Sequence, residues 1–130
     1  MIFIKFRAVF TGVLLVLSGA AQAQFTCTTN SGKITITKYT GSGGAVTVPG
    51  AINGLPVAGI AVRAFLNSSN LTSVAIADSV TSIGDYAFKS CTNLTGAILP
   101  ANITSIGLCV FQFCTNLTSV PIPGSVTSIG

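Results

Sequence analysis

Two acids, four cysteines and no histidine are what this sequence offers for covalent or metal chemistry. The acids are Asp78 and Asp85, and there is no glutamate. Paired-carboxylate catalysis needs two acids whose surroundings push their pKa values apart. Two aspartates seven residues apart (85 − 78), both at turn positions, read instead as solvated turn formers. Without histidine, no serine or cysteine has the base that would activate it as a nucleophile. Cysteine and aspartate alone, without zinc-site spacing, make no metal centre. The glycine-rich stretch Gly41-Ser42-Gly43-Gly44 is not followed by a helix, so it is no phosphate loop. The expectation is a protein that is not an enzyme, with no cofactor and no metal.

The cysteines and asparagines carry the remaining polar signal. Cys91 and Cys114 stand 23 apart (114 − 91), each directly before Thr-Asn-Leu. That placement suits a column of small buried hydrophobes, a role free cysteine fills readily. Parallel Cβ vectors in adjacent layers lie slightly too far apart for an unstrained bridge, and a Cys109–Cys114 bridge is the alternative. Cys27 falls several layers from Cys109, which disfavours that pairing. Asn-x-Ser/Thr sequons occur at Asn67, Asn70, Asn93, Asn102 and Asn116. Three of them belong to one recurring Asn-Leu-Thr phrase, so they read as asparagines serving backbone groups between coils rather than as glycosylation acceptors.

What must position these residues is a repeat. The phrases NLTSVAIADSVTSIGDYAFKSCT, NLTGAILPANITSIGLCVFQFCT and NLTSVPIPGSVTSIG begin at Asn70, Asn93 and Asn116, a period of 23. A fixed period of this length predicts one supersecondary unit stacked on itself, a repeat solenoid. Leu71, Val74 and Ile76 have the L-x-x-L-x-L spacing of a leucine-rich strand. Val74 and Ile76 then face inward and Ser73 and Ala75 outward. Val80–Ile83 is a second short extended piece, and Asp85–Phe88 a turn or single helical turn that returns Phe88 to the core. Stacking makes columns of Leu71, Leu94 and Leu117, of Val80, Ile103 and Val126, and of Phe65, Phe88 and Phe111.

Three segments follow. Residues 1–23 read as a signal peptide, with Lys5 and Arg7 before an apolar stretch at Ala8–Leu17 and a small-x-small site at Ala21-Gln22-Ala23. The apolar stretch is shorter than the ~20 residues of a membrane-spanning helix. Cleavage near Ala23 predicts a secreted or cell-surface chain with no transmembrane segment in its mature part. Residues 24–59 read as a cap, in which Lys33–Tyr39 and Ala45–Val48 suggest a β-hairpin across the GSGG loop. Residues 60–130 are the repeats, the last one incomplete. The Val48–Ile60 span is five residues longer than Ile76–Ile83 (12 − 7), as suits a divergent first coil. The cleaved chain carries Lys33, Lys38, Arg63 and Lys89 against Asp78 and Asp85, a net of +2 (4 − 2) with no basic stripe, so nucleic-acid binding is not expected.

The phrases LTSVAIADSVTSIGDYAFKSCTN and IGLCVFQFCTN resemble the BspA-type leucine-rich repeat of bacterial and some protozoan surface proteins. The lead-in ITITKYTGSGGAVTVPGAINGLPVAGIAVRAF is similar to the segment that often precedes such repeats. The resemblance spans about Ile34 to Gly130. It implies a right-handed solenoid of short parallel strands, an extracellular or surface location, and adhesion or protein binding. Two places depart from the pattern: Cys109 stands where the preceding coil has Tyr86, and the third copy lacks its AF-x-x-C half.

The chemistry left is that of a surface. Outward strand residues form two rows, Ser73, Gly96, Ser119 and Ala75, Ile98, Pro121, a candidate face for a protein or glycan ligand. They include none of the Trp, Tyr or Arg that dominate hot spots. The alternative is the turn edge with Arg63, Tyr86 and Cys109 in one column and Lys89 beside it. The sequence thus predicts a non-catalytic binding or adhesion module. The competing expectation is a rigid spacer, or the first part of a larger exported protein whose activity, enzymatic or not, lies downstream. The last coil ends on exposed apolar columns, through which self-association is expected.

Overall fold

The computed structural model describes residues 13–14 and 24–130. In chain order the strands are β1 (Val13–Leu14), β2 (Phe25–Asn30), β3 (Lys33–Tyr39), β4 (Gly44–Val48), β5 (Ala51–Ile52), β6 (Leu55–Ile60), β7 (Leu71–Ile76), β8 (Ser82–Ile83), β9 (Gly96–Ile98), β10 (Ser105–Ile106) and β11 (Ser128–Ile129). Two sheets wrap one core. One runs β1-β2-β3-β6-β8-β10-β11, with β5 paired to β6; the other runs β4-β7-β9. From β3 onward the rungs are parallel apart from the β5–β6 pair, and the register follows the repeat: Ile60 pairs with Ile83, Ile83 with Ile106, and Ile106 with Ile129. The segment expected to be a signal peptide, residues 1–23, lies outside the described residues except for Val13 and Leu14. Those two pair antiparallel with Thr28 and Cys27.

The cap contains a hairpin, but not across the GSGG loop. β3 pairs antiparallel with β2 through Ser31-Gly32, whose φ values of 50° and 75° suit the twist of a two-residue hairpin turn. β4 instead pairs parallel with β7 in the other sheet, Val46 opposite Val74 and Val48 opposite Ile76. The GSGG loop is thus the corner of a coil. Gly43, at φ 101°, lies so close to the Asn70 backbone that a Cβ there would collide with it. The five extra residues of the first coil hold a second hairpin, β5 to β6, turned at Asn53-Gly54 with φ 51° and 76°.

No helical turn forms at the long corners; the chain makes successive tight turns there. Ala64 N–H donates to Ala61 and Leu66 N–H to Arg63, at 3.2 and 3.1 Å. Helix cannot propagate because two residues per corner are left-handed. These are Arg63 and Asn67 (φ 60° and 61°), Tyr86 and Ser90 (58° and 61°), and Cys109 and Phe113 (51° and 62°). The alternation aims every second N–H at the next coil. Arg63, Phe65 and Asn67 donate to the carbonyls of Asp85, Ala87 and Lys89 at 3.0, 2.7 and 2.9 Å. Tyr86, Phe88 and Ser90 do the same to Leu108, Val110 and Gln112. The corner backbone is therefore satisfied, as a stacked layer requires.

Inside, the predicted columns form. Phe65, Phe88, Leu71, Leu94, Val80 and Ile103 are fully buried, with Phe111, Leu117 and Val126 packed partly buried against them. The Phe65 and Phe88 rings stack at 4.5 Å between centroids and the Phe88 and Phe111 rings at 5.6 Å. Tyr39 continues the column into the cap, 5.1 Å from Phe65 and nearly coplanar at 15°. Its spacing from Phe65 is 26 residues (65 − 39), so the period of the repeat does not disclose it.

Polar side chains tie coil to coil. Thr95 and Thr118 donate to the carbonyls one coil back at 3.0 Å each, and Asn93 and Asn116 reach Ser69 and Thr92 at 2.7 Å. Asp78 and Asp85, read as turn formers, also bridge layers: their carboxylates accept from the N–H groups of Ala101 and Leu108 at 2.9 and 2.8 Å.

Candidate binding faces of the solenoid

The strand face is the first candidate. Ser73, Ala75, Gly96, Ile98, Ser119 and Pro121 all line one shallow groove of about 340 Å³ over β4, β7 and β9. Its walls are small and mostly apolar. Inward neighbours Val74 and Ala97 are buried, whereas Ile98 is 68% exposed. No side chain on this face carries a charge.

The turn edge differs in kind. The left-handed corner swings Arg63, Tyr86 and Cys109 out in one column, and it brings Lys89 and Phe113 into the same patch. The Arg63 guanidinium lies 5.7 Å from the centre of the Tyr86 ring. Lys89 Nζ lies 5.1 Å from the Tyr86 ring centre and 5.5 Å from that of Phe113. Each contact is a cation over an aromatic face, worth about 0.5–1 kcal/mol when exposed. Neither cation has an ion-pair partner among the described residues. Asp85, in the same corner, is committed to Leu108 N–H. Phe113, against Lys89, is 61% exposed, and Val62 and Leu108, the residues before Arg63 and Cys109 in the chain, are 54% and 48% exposed. Val62 and Leu108 also border a groove of about 590 Å³ over β8 and β10.

Arg63, Tyr86 and Lys89 were legible as an edge from their column positions. Phe113 was not: its counterparts Asn67 and Ser90 are polar, so nothing in the period marks it as a ring on the surface.

The cysteines do not bridge. All four are free, Cys27, Cys91 and Cys114 buried and Cys109 exposed. The Cys91 thiol donates to the Phe65 carbonyl at 3.2 Å and the Cys114 thiol to the Phe88 carbonyl at 3.0 Å, so the column of small buried residues is also a hydrogen-bonded one. Burial pushes Cys27 up to about 12. Burial also pushes Cys91 up to about 12, with the neighbouring Cys114 adding to the shift. Such thiols stay protonated and unreactive.

Among the described residues no three His, Cys, Asp or Glu side chains converge as metal ligands. No helix among them is long and apolar enough to cross a membrane.

Residues 55–130 match the family described as "BspA type Leucine rich repeat region (6 copies)". No functionally curated protein matches the chain. Among solved structures, a leucine-rich repeat protein of T. pallidum superimposes with a TM-score of 0.80 at 36% identity, over 82% of this chain and 51% of that one. A leucine-rich cell surface protein of Faecalibacterium prausnitzii gives 0.74 at 40% identity, over 82% and 31%. A leucine-rich repeat protein of Bacteroides capillosus gives 0.77 at 31% identity, over 82% and 83%. The chain thus spans about half the length of the T. pallidum protein and under a third of the F. prausnitzii one. Repeat phrase, parallel register and superposition agree, and the chain belongs to the BspA-type leucine-rich repeat family.

Proposed function

We propose that this chain is an exported, cell-surface binding module without catalytic activity, and that it engages a protein or glycan partner through its turn edge. Export rests on the signal-peptide pattern of residues 1–23, and the surface location is that named for the F. prausnitzii relative. The observation that carries the reading is the patch in which Arg63 and Lys89, with no ion pair among the described residues, lie against the half-buried Tyr86 ring and the exposed Phe113 ring. Arg and aromatic anchors supply most hot-spot energy at interfaces. The strand groove holds no residue of that kind, which favours it as a packing surface.

The test is binding of the purified chain to host-cell, matrix-protein and glycan arrays, beside an Arg63→Ser/Lys89→Ser variant. Binding by the parent chain and its loss in the variant is the expected result. Arrays uniformly negative for both would sink the binding reading. They would leave the rigid spacer, which the bland strand face and the regular inter-coil hydrogen bonds support.

A further inference from the structure

We infer that the partner at the turn edge is a protein segment in which acidic residues are interleaved with large apolar ones, rather than a sulfated or uronic-acid glycan. This rests on the binding reading of the same edge and narrows it. Charge complementarity supplies the acidic half. Arg63 and Lys89 are the cations of the patch, and neither meets an acid among the described residues. The one nearby carboxylate, Asp85, is occupied by the Leu108 backbone. Aromatic faces hold both cations in place, so less side-chain freedom is lost when an anion binds.

The apolar half comes from the surroundings. Phe113 lies against Lys89, while Val62 and Leu108 directly precede Arg63 and Cys109 in the chain, and each of the three is about half exposed or more. A polyanionic glycan would neutralise Arg63 and Lys89 yet leave these three side chains in water. A glycan could instead stack its sugar rings on aromatic faces, but two cations already lie against Tyr86 and one against Phe113. A peptide with carboxylates and Leu or Phe side chains satisfies both halves of the patch at once.

The experiment measures binding of the purified chain to three fluorescent probes: a peptide alternating Glu with Leu and Phe, an all-Glu peptide of equal charge, and heparin. The mixed peptide is expected to bind at least about tenfold more tightly than either other probe. Its affinity should fall as salt rises, since exposed charges are screened within about 8 Å at physiological ionic strength. Lys89→Gln and Arg63→Gln should each weaken it roughly tenfold and flatten the salt dependence, the scale of a well-placed hot-spot charge. Phe113→Ser should weaken it several-fold while leaving the salt dependence intact. Each variant is compared at equal foldedness, read from its melting transition, because all three side chains lie on the surface.

Heparin binding that equals or exceeds the mixed peptide overturns the inference while keeping the broader binding reading alive. So does mixed-peptide affinity unmoved by Phe113→Ser. Failure of all three probes, with the surface arrays positive, overturns it in the same way. Failure of the arrays as well overturns both.

Discussion

The same 23-residue unit builds two sets of aromatic contacts, one inside the solenoid and one outside, and they obey different rules. Inside, Tyr39, Phe65, Phe88 and Phe111 stack ring on ring at 5.1, 4.5 and 5.6 Å. Phe65 and Phe88 each lie between two stacked rings, so the position accepts one kind of side chain. Outside, the column of Arg63, Tyr86 and Cys109 and that of Asn67, Ser90 and Phe113 change residue at every coil. What stays constant there is the backbone, left-handed at all six positions. Stacking therefore fixes composition in the core and only conformation at the corner. Variation from coil to coil at the corner is where the molecule is free to acquire a partner.

The sharpest way to break this comparison is to delete one ring of each kind. Phe88→Ala empties a fully buried site between two stacked rings and should cost about 3–5 kcal/mol, enough to unfold so short an array. Phe113→Ala should change the unfolding free energy by no more than about 0.5 kcal/mol, the usual range for a surface change. Urea titration of both variants decides it. Equal losses would mean that the edge is part of the core.

A smaller effect separates the glycines of the two faces. A Cβ on Gly107 would lie 2.5 Å from Asp85 Oδ1 and 2.6 Å from Asp85 N, where consecutive corners touch. Gly107→Ala must push two coils apart and should cost about 1–3 kcal/mol. At Gly96, on the strand face, a Cβ would have nothing within 4 Å. Gly96→Ala should therefore leave the melting temperature nearly unchanged. The pair tests whether the coils approach more closely at this corner than across the strand face.

The thiols give a third contrast. Alkylation of the folded chain at pH 8 should modify exposed Cys109 and spare Cys27, Cys91 and Cys114, as peptide mass mapping would show. Cys91 sits at about 12 against an ordinary 9.0, so the unfolded chain loses this proton before the folded one does. The stability tied to that thiol is fully present below pH 9 and drains away as pH rises from 9 towards 12. Melting temperature measured across that window should fall less steeply in Cys91→Ala than in the parent.

Much of this was legible in the sequence because periodicity reports what neighbours share. The Phe65–Phe88–Phe111 column, the inward Val74 and Ile76 and the register of Ile60, Ile83 and Ile106 all follow from one spacing. Periodicity is silent where the contact is not between equivalent positions. Tyr39 joins the ring stack from outside the repeat, and β3 pairs with β2 because Ser31-Gly32 makes a tighter hairpin turn than the GSGG loop. The edge cluster needed left-handed backbone at Tyr86 and Phe113, for which a bulky residue gives no warning.

Phe113 is where stability and binding should part company, by the smallest margin of all. A non-glycine residue in left-handed conformation costs roughly 1–2 kcal/mol, less for asparagine, which the equivalent corner has at Asn67. The Phe113 ring recovers little of this by burial, being 61% exposed. Phe113→Gly relieves the backbone but adds freedom to the unfolded chain, so a net gain of about 0.5–1 kcal/mol is expected. Differential scanning calorimetry would register it as a raised melting temperature. If the edge is the docking surface, the same variant should bind the mixed acidic–apolar peptide more weakly while being more stable. Strained residues persist where function holds them. A Phe113→Gly chain that gained stability and kept its affinity would detach the strain from binding and leave the outer ring without a role.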